Sequence, residues 1–218
     1  MDGLEIRKES VTTEFSSPYI KVYDLQYAEG KHYYDASRRS RESLMAIKSD
    51  EEFKTSVPDA VSCAIIVEVP GEEPRLYLTK EYRYPLGRYL LSVPSGLIDD
   101  TDKKQKHPSF SAAAREVFEE TGMSIQEETD MMTQVNPLLF CSPGMTDEST
   151  AFIKVVLRRN GLPNLKIQDG VGGELFGAST FVTKAEALEI LRRGSDENGI
   201  YFSAVTWIAL VVFVSDIW

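Results

Sequence analysis

The sequence predicts an α/β fold of the α+β type, with a small antiparallel β domain at the N-terminus. Three observations favour it: paired β-rich segments at residues 19–38, long apolar runs separated by turn signals after residue 58, and amphipathic helical patterns near residues 113–122 and 184–193. Of the 218 residues, 42% are hydrophobic, which is enough for one substantial core with a small appendage.

The pattern of residues in the N-terminal part of the sequence predicts an antiparallel hairpin. Residues 19–27 are rich in β-branched and aromatic side chains, residues 28–31 form a turn signal, and residues 32–38 can return as the second strand. A charged stretch follows and is broken by Val57-Pro58. We therefore expect a hairpin region at residues 1–57, which we also expect to form the dimer contact, and a main domain at residues 58–218.

The main domain opens with a hairpin of central strands. Residues 60–69 are continuously apolar, a Pro-Gly turn follows, and residues 75–82 supply the partner strand. Further strands are expected at 150–157 and 179–182, and helices at 184–193, with a capping box of Thr183 and Glu186, and at 203–214. On the helix that ends at Gly122, the side chains expected to face the core are Ala113, Ala114, Val117, Phe118 and Thr121.

The segment from Arg115 to Gly122 is the richest in charged groups that could do chemistry. Read as a helix, it places Glu116, Glu119 and Glu120 on one face within about one turn. Arg115 stands four residues before Glu119, at ion-pair spacing, and Gly122 ends the helix. Crowded carboxylates repel one another unless a cation neutralises them, and oxygen ligands suit Mg²⁺ or Mn²⁺. The pattern predicts a divalent-metal site, with a solvated acidic helix face as the alternative.

Composition excludes several classes of function. A formal net charge of -10 disfavours binding to nucleic acid. No apolar run is long enough to span a membrane, and the first residues lack the features of a signal peptide. The two cysteines, Cys63 and Cys141, lie in apolar surroundings without metal-ligand spacing. We expect a cytoplasmic protein.

The acidic helix follows a glycine loop with the sequence Pro-Ser-Gly-Leu-Ile-Asp-Asp at residues 94–100. Together with residues 112–123, this loop resembles the Nudix box, in which a glycine loop leads into a helix with the motif Arg-Glu-apolar-x-Glu-Glu-x-Gly-apolar. The second half matches at every defined position. The resemblance implies a Nudix-type α/β/α sandwich with a mixed central sheet. It also implies a site that grips divalent metal and a pyrophosphate.

The resemblance assigns roles to single residues. It implies that two or three Mg²⁺ ions are held by the backbone carbonyl of Ser95 and the carboxylates of Glu116, Glu119 and Glu120. Glu120 and Arg115 would belong to the catalytic group, and Gly96 to the substrate-binding loop. The carboxylates are therefore expected to lie against the loop at residues 94–96.

Three features depart from the family pattern. The family places a Glu eight residues before the Arg, where this chain has His107, and the spacing from Gly96 to Arg115 is five residues longer. We expect the extra length around residues 102–106, in the loop before the helix, where added length costs little. One branch of the family also carries a Glu two residues before the box Pro, where this chain has Ser92. The missing acid would weaken one ion site or alter substrate choice.

Two segments flanking the box resemble the ADP-ribose pyrophosphatase-like branch. Lys-Glu-Tyr-Arg-Tyr-Pro at residues 80–85 is similar to a branch segment whose Arg meets the substrate phosphates, which implies that role for Arg83. Ser-Pro-Gly-Met-Thr-Asp-Glu at residues 142–148 is similar to a segment after the box, although Pro143 lies five positions later than is usual there. Ser-Pro-Gly is also ordinary turn chemistry.

A glycine-rich loop at residues 170–173 precedes Glu174. A mobile loop that carries one acid suits a general base. The branch has a Gly-Glu loop here whose Glu positions or deprotonates the attacking water, which implies that role for Glu174, with Glu148 as the second candidate. A solvated loop acid fits the pattern equally well.

The N-terminal hairpin holds further candidates. By resemblance to related homodimers, Tyr33 or Tyr34 could stack on a nucleobase, and Arg38 or Arg39 could reach a phosphate. A strand aromatic that packs on its neighbour explains the tyrosines at least as well. The resemblance also implies a homodimer.

Together these features predict Mg²⁺-dependent hydrolysis of the pyrophosphate bond of a nucleoside diphosphate sugar, ADP-ribose before others, giving AMP and ribose 5-phosphate. Other nucleoside diphosphate sugars or a dinucleotide are alternative substrates. A nucleotide-binding or sensing module that has lost turnover is an alternative function, motivated by Ser92, His107 and the lengthened loop. A homodimeric scaffold without a ligand is the third possibility.

Overall fold

The computed structural model describes residues 5–165, 174–215 and 217. The chain divides into two compact units. The N-terminal unit comprises Met1–Asp59 and Leu138–Thr150, and the second unit comprises Ala60–Pro137 and Ala151–Trp218. The segment at residues 138–150 thus belongs with the start of the chain, a relation that a boundary drawn along the linear sequence does not contain.

The N-terminal unit is built on a three-stranded antiparallel sheet in the order β1-β2-β3. Its strands are β1 (Val11–Ser16), β2 (Lys21–Ala28) and β3 (Lys31–Ser37). The predicted hairpin of β2 and β3 is confirmed, and Gly30 closes it with a positive φ of 64°. β1 was not predicted, because only Val11 of its six residues is buried and no alternating apolar pattern marks it.

The N-terminal unit also contains a small hydrophobic core and a short helix. A small core is formed by Val11, Tyr23, Leu25 and Leu44. Helix α1 (Asp50–Lys54) begins with a capping box, in which Ser49 and Glu52 each satisfy a backbone N–H of the other.

An open cavity of about 520 Å³ lies within the N-terminal unit. Phe53 and Phe140 stack in its wall, with ring centroids 5.6 Å apart. Asp35 also lines the cavity, and it is only 7% exposed. One carboxylate oxygen of Asp35, Oδ2, has no hydrogen-bond partner among the described residues. The remaining lining residues are Ile6, Leu25, Tyr27, Tyr33, Met45, Ala46, Pro143, Met145, Thr146 and Asp147.

Asp35 should make the stability of the protein fall as the pH rises. Burial first, and then the charge of Asp147, raise the pKa of Asp35 from 3.8 to about 6. The folded state therefore binds this proton more tightly than the unfolded chain, and stability declines between about pH 4 and pH 6, by at most about 3 kcal/mol. Asp35→Asn should raise the free energy of unfolding at pH 8 and leave it nearly unchanged at pH 4. Urea unfolding at both pH values measures the difference, and an equal effect at both would contradict the assignment.

The second unit is built on a mixed seven-stranded sheet, counted over the described residues. The main order is β10-β5-β4-β9-β8, and β6 pairs with β5 while β7 pairs with β4. The strands are β4 (Ala60–Glu68), β5 (Arg75–Arg83), β6 (Arg88–Ser92), β7 (Ser95–Leu97), β8 (Met131–Phe140), β9 (Ser149–Arg158) and β10 (Thr180–Val182).

Three helices cover this sheet: α2 (Pro108–Thr121), α3 (Lys184–Arg193) and α4 (Ala204–Ser215). Alternate residues of β4 and β9 pack with Ala112, Ala113 and Val117 of α2 in the main core, as the two-residue period of a strand requires. Helix α4 also packs against β4. The core residues that β4 and β9 contribute are Val61, Cys63, Ile65, Val67, Ala151, Ile153, Val155 and Leu157.

The predicted α+β class, mixed central sheet and small antiparallel sheet are confirmed. The capping box at Thr183 and Glu186 is present at the start of α3. One helix-face prediction was wrong: Phe118 of α2 is 55% exposed, and Glu116 is buried instead. The apolar face turns towards the core only at Ala112, Ala113, Val117 and Thr121, because Phe118 lies next to Val117 and is rotated out of that face.

None of the helices that the structure describes combines the length and the apolar character needed to cross a bilayer.

Candidate active site

The proposed site is centred on helix α2. The helix starts after His107, with Pro108 in its first turn, where a missing N–H is harmless. It ends at Gly122, which adopts a left-handed conformation with a φ of 71° and donates its N–H to the carbonyl of Phe118. The predicted end of the helix is confirmed, and the core contacts of α2 hold it firmly on the sheet.

Arg115 ties the helix carboxylates to the preceding loop. Its Nη1 donates to Glu116 at 2.7 Å and to Glu119 at 3.0 Å, which confirms the predicted i,i+4 ion pair. Its Nη2 donates to the carbonyl oxygen of Leu97 at 2.8 Å and to Asp102 at 2.9 Å. One guanidinium thus fixes two carboxylates and the loop in a single arrangement.

Asp102 is a site residue that the sequence reasoning missed. It is only 3% exposed, and its carboxylate accepts hydrogen bonds from Ser111 and from Arg115. The family pattern directed attention to position 107, but His107 precedes α2 and is exposed. The sequence did carry a usable signal for Asp102, because this acid stands six residues after Gly96 in the lengthened loop. Asp102 supplies the carboxylate that holds Arg115.

Asp102→Asn should loosen this arrangement. The amide would bring a donor to Arg115 or Ser111 in place of an acceptor, at a cost of about 2 kcal/mol of stability. Because Arg115 orients Glu116 and Glu119, we expect kcat/KM for a hydrolysed substrate to fall roughly 10- to 100-fold. Asp100→Asn is the matched control, since Asp100 is exposed and, among the described residues, forms an ion pair only with Lys103, at 3.0 Å. Equal activity of both variants would contradict the role of Asp102.

Two helix carboxylates lie against the glycine loop, as expected. The backbone N–H of Ser95 donates to Glu120 Oε1 at 2.8 Å. The Glu116 carboxylate lies so close to Gly96 that a methyl group there would overlap it. The backbone N–H of Ser95 makes this contact with Glu120. The metal ligand predicted for Ser95 is a different atom, its backbone carbonyl oxygen. Gly96 is needed here for space, because any side chain would displace the carboxylate.

The carboxylates of this loop and helix are electrostatically crowded. Burial raises the pKa of Glu120 well above its usual range, and the nearby negative charges of Glu81, Glu116 and Glu174 raise it further. Burial also raises the pKa of Glu116, against the opposing effect of Arg115. The site therefore holds more negative charge than the nearby protein cations balance.

A second carboxylate that sequence reasoning missed enters from β5. The side chain of Glu81 is only 12% exposed. Its Oε2 accepts a hydrogen bond from the hydroxyl of Ser92 at 3.0 Å and forms an ion pair with Arg83 at 2.6 Å. The Arg83 guanidinium is itself 43% exposed, so part of it faces solvent. No sequence signal marked Glu81, because its contact with Ser92 depends on the pairing of β5 with β6.

Known proteins resemble this chain in sequence and in fold, although no protein-family model matches it. An uncharacterised Nudix hydrolase of Schizosaccharomyces pombe is 28% identical over 62% of the chain. A putative Nudix hydrolase of Caenorhabditis elegans is 36% identical over 44% of it, and an ADP-sugar pyrophosphatase of Mus musculus is 27% identical over 50%. In sequence, the chain is therefore similar to Nudix hydrolases.

These matches span 63%, 39% and 45% of the relatives' own lengths, so the chain covers less than two thirds of each of them. In fold, the chain resembles a solved ADP compounds hydrolase, with a TM-score of 0.54 and 20% identity, over 94% of this chain and 90% of that one. That likeness supports the α/β/α architecture.

Glu174 lies near enough to the helix carboxylates for its charge to act on them. Its charge contributes to the raised pKa values of Glu81, Glu116 and Glu120, for each of which burial is the largest cause. The residues after it run along the edge of β5, where the N–H of Tyr82 donates to the carbonyl of Leu175. The predicted glycine loop at residues 170–173 lies outside the described residues.

The candidates in the N-terminal unit have partners of their own. Arg38 forms an ion pair with Glu148 at 2.9 Å. Arg39 is largely buried and pairs with Asp59 at 2.6 Å and with Asp147 at 3.4 Å, so its charge is already compensated. Tyr34 is 59% exposed, and Pro143 lines the cavity of this unit. The hydroxyl of Tyr33 donates to the carbonyl oxygen of Gly144.

Nudix hydrolases generally use divalent metals such as Mg²⁺. Among the described residues, no group of three or more His, Cys, Asp or Glu side chains stands in a metal-holding arrangement. Arg115 pairs with oxygens of Glu116 and Glu119. The donor set nevertheless fits a hard cation, because it consists of carboxylates, and their crowding would be relieved by positive charge.

Proposed function

We propose that this protein hydrolyses the pyrophosphate bond of a nucleoside diphosphate sugar with the help of Mg²⁺ or Mn²⁺. ADP-ribose is the proposed first substrate, and AMP and ribose 5-phosphate are the products. The observation that carries the proposal is the placement of Glu116 and Glu120 against the loop of Ser95 and Gly96, with Arg115 holding the helix to that loop.

The proposed roles follow from these contacts. Glu116, Glu119 and Glu120, with the Ser95 carbonyl, would hold the cation. When bound, the cation neutralises charge on the phosphoryl oxygens and favours ionisation of water. Arg115 keeps the carboxylates in place before substrate arrives, which reduces reorganisation during the reaction.

Two further residues would act on the substrate and the water. Arg83 has a partly exposed guanidinium, whose fork of N–H donors suits the diphosphate. Glu174 is exposed beside the carboxylate group, and it would orient the attacking water and accept its proton. Attack by that water forms one P–O bond and breaks the bridging P–O bond, leaving two phosphate monoesters.

The substrate class draws support from the relatives. The mouse relative is named an ADP-sugar pyrophosphatase, and the solved structure with a similar fold is named an ADP compounds hydrolase. In the N-terminal unit, exposed Tyr34 is proposed to stack on the base, and Arg38 to meet a phosphate after leaving Glu148. Further proposed substrate-binding residues are Arg39, Gly96 and Pro143. The second candidate for the base is Glu148.

A panel assay tests the proposal. The purified protein is incubated with Mg²⁺ and with ADP-ribose, other nucleoside diphosphate sugars, or dinucleoside polyphosphates, and products are resolved by chromatography. We expect AMP and ribose 5-phosphate from ADP-ribose, and no products when EDTA is present. Binding of these compounds without turnover would favour the alternative function as a sensing module. Absence of both binding and turnover with every compound would contradict the proposal.

The proposal also includes a cytoplasmic homodimer that binds no nucleic acid. Exposed apolar side chains of the N-terminal unit support a contact surface, namely Phe15, Tyr19 and Ile20. Sedimentation equilibrium would reveal a dimer, and a monomer at all concentrations tested would contradict it.

A further inference from the structure

Glu81 is an acid with little solvent exposure in a strand of the sheet. It lies in β5 opposite Leu90 of β6, and its side chain is only 12% exposed. Burial of a carboxylate costs free energy unless it is paired or binds a cation. A strand position of this kind is usually apolar, so the acid requires an explanation.

The contacts of Glu81 leave one oxygen available. Ser92 and Arg83 both bind Oε2, at 3.0 Å and 2.6 Å. Within the described residues, Oε1 receives no hydrogen bond, although the other oxygen is held in place. An orienting hydroxyl and a guanidinium on one oxygen leave the second oxygen free to bind a ligand.

The surroundings of this free oxygen are negative. The charge of Glu81 raises the pKa of Glu120, and the charge of Glu174 raises the pKa of Glu81, for which burial is the largest cause. The geometry agrees, because Ser92, which donates to Glu81, stands three residues before Ser95, whose N–H donates to Glu120. Glu81 therefore lies near the carboxylates assigned to the cation. Its guanidinium partner, Arg83, is also the proposed diphosphate ligand, and pairing with phosphate would take Arg83 away from Glu81.

We propose that Glu81 is a further carboxylate of the divalent-cation site, delivered from β5 and oriented by Ser92. This inference rests on the proposed function. It also accounts for the serine at position 92, where the resembling branch carries a Glu: Ser92 lies within hydrogen-bond distance of Glu81, so the acid reaches the same place from the neighbouring strand.

Metal affinity tests the inference independently of turnover. Mn²⁺ is titrated into the intact protein, and free Mn²⁺ is followed by electron paramagnetic resonance. We expect Glu81→Gln to weaken Mn²⁺ binding roughly 10- to 100-fold. The matched control is Glu68→Gln, since Glu68 is also a strand glutamate with an arginine partner, Arg158, at 3.1 Å. It should bind Mn²⁺ as the native protein does.

A charge-relocation variant sharpens the test. The double variant Glu81→Gln/Ser92→Glu moves the carboxylate to the adjacent strand. We expect this variant to recover at least part of the Mn²⁺ affinity that Glu81→Gln loses. Ser92→Ala, which keeps the acid but removes its orienting hydroxyl, should give a smaller loss than Glu81→Gln. Circular dichroism of each variant confirms the fold.

The outcomes separate this inference from the proposed function. If the native protein binds Mn²⁺ and hydrolyses ADP-ribose, while Glu81→Gln matches Glu68→Gln in affinity, the role of Glu81 is overturned and the proposed function stands. If the native protein neither binds Mn²⁺ nor hydrolyses any compound of the panel, both are overturned. Loss in Glu81→Gln with recovery in the double variant supports the inference.

Discussion

Glu120→Gln is expected to lower kcat/KM for the hydrolysed substrate by roughly 10³-fold. Glu120 accepts a hydrogen bond from the Ser95 N–H, and an amide can keep that contact while losing the negative charge. The substitution removes charge from the place where Glu81, Glu116 and Glu174 crowd together, so repulsion falls and the fold should be retained or gain stability. Steady-state kinetics with ADP-ribose, together with thermal unfolding, measures both effects.

The control for this variant is Glu127→Gln, which removes an exposed acid from the loop after α2. It should leave kcat/KM unchanged. If Glu120→Gln retains native activity, Glu120 does not hold the cation and the assignment of α2 as the catalytic helix fails. If it loses activity together with cooperative unfolding, its effect is on folding, and the charge argument is not supported.

Gly96→Ala is expected to reduce activity by roughly 100-fold with a smaller loss of stability. An alanine methyl at this position would overlap the carboxylate of Glu116, which is the end of a side chain and can move away. The loop backbone at Gly96 is fixed, because it pairs with Val61 of β4. The carboxylate must therefore shift, and its contact with Arg115 must change as well.

Gly161→Ala provides the comparison, since nothing lies within 4 Å of the methyl group that it would add. Its activity and its melting temperature should match those of the native protein. Mn²⁺ affinity and kcat/KM of Gly96→Ala should fall together, because both depend on Glu116. An active Gly96→Ala protein would show that the position of Glu116 is not critical.

The helix and its acids could be predicted because their signals are local. Periodicity from Arg115 onwards, the terminal glycine and the i,i+4 pair with Glu119 all lie within two turns, and the structure has each of them. The exposed Phe118 shows the limit of this reasoning. Apolar character alone did not show which residues face the core.

Two site residues were missed at the level of the sequence because their contacts are not local. Asp102 meets Arg115 thirteen positions away, across a loop whose length departs from the family pattern. Glu81 meets Ser92 only because β5 and β6 pair in one register. Likewise, residues 138–150 join the N-terminal unit through the folded chain and carry no composition signal for it.

The hydrogen bonds of Arg115 have a consequence for the protein when no divalent ion is present. A guanidinium that already pairs with Glu116 and Glu119 acts as an internal counter-ion, which offsets part of their mutual repulsion before any ion arrives. Under the proposed function, loss of the ion would then remove activity without unfolding the chain. That folded, metal-free form would regain activity when the ion is restored.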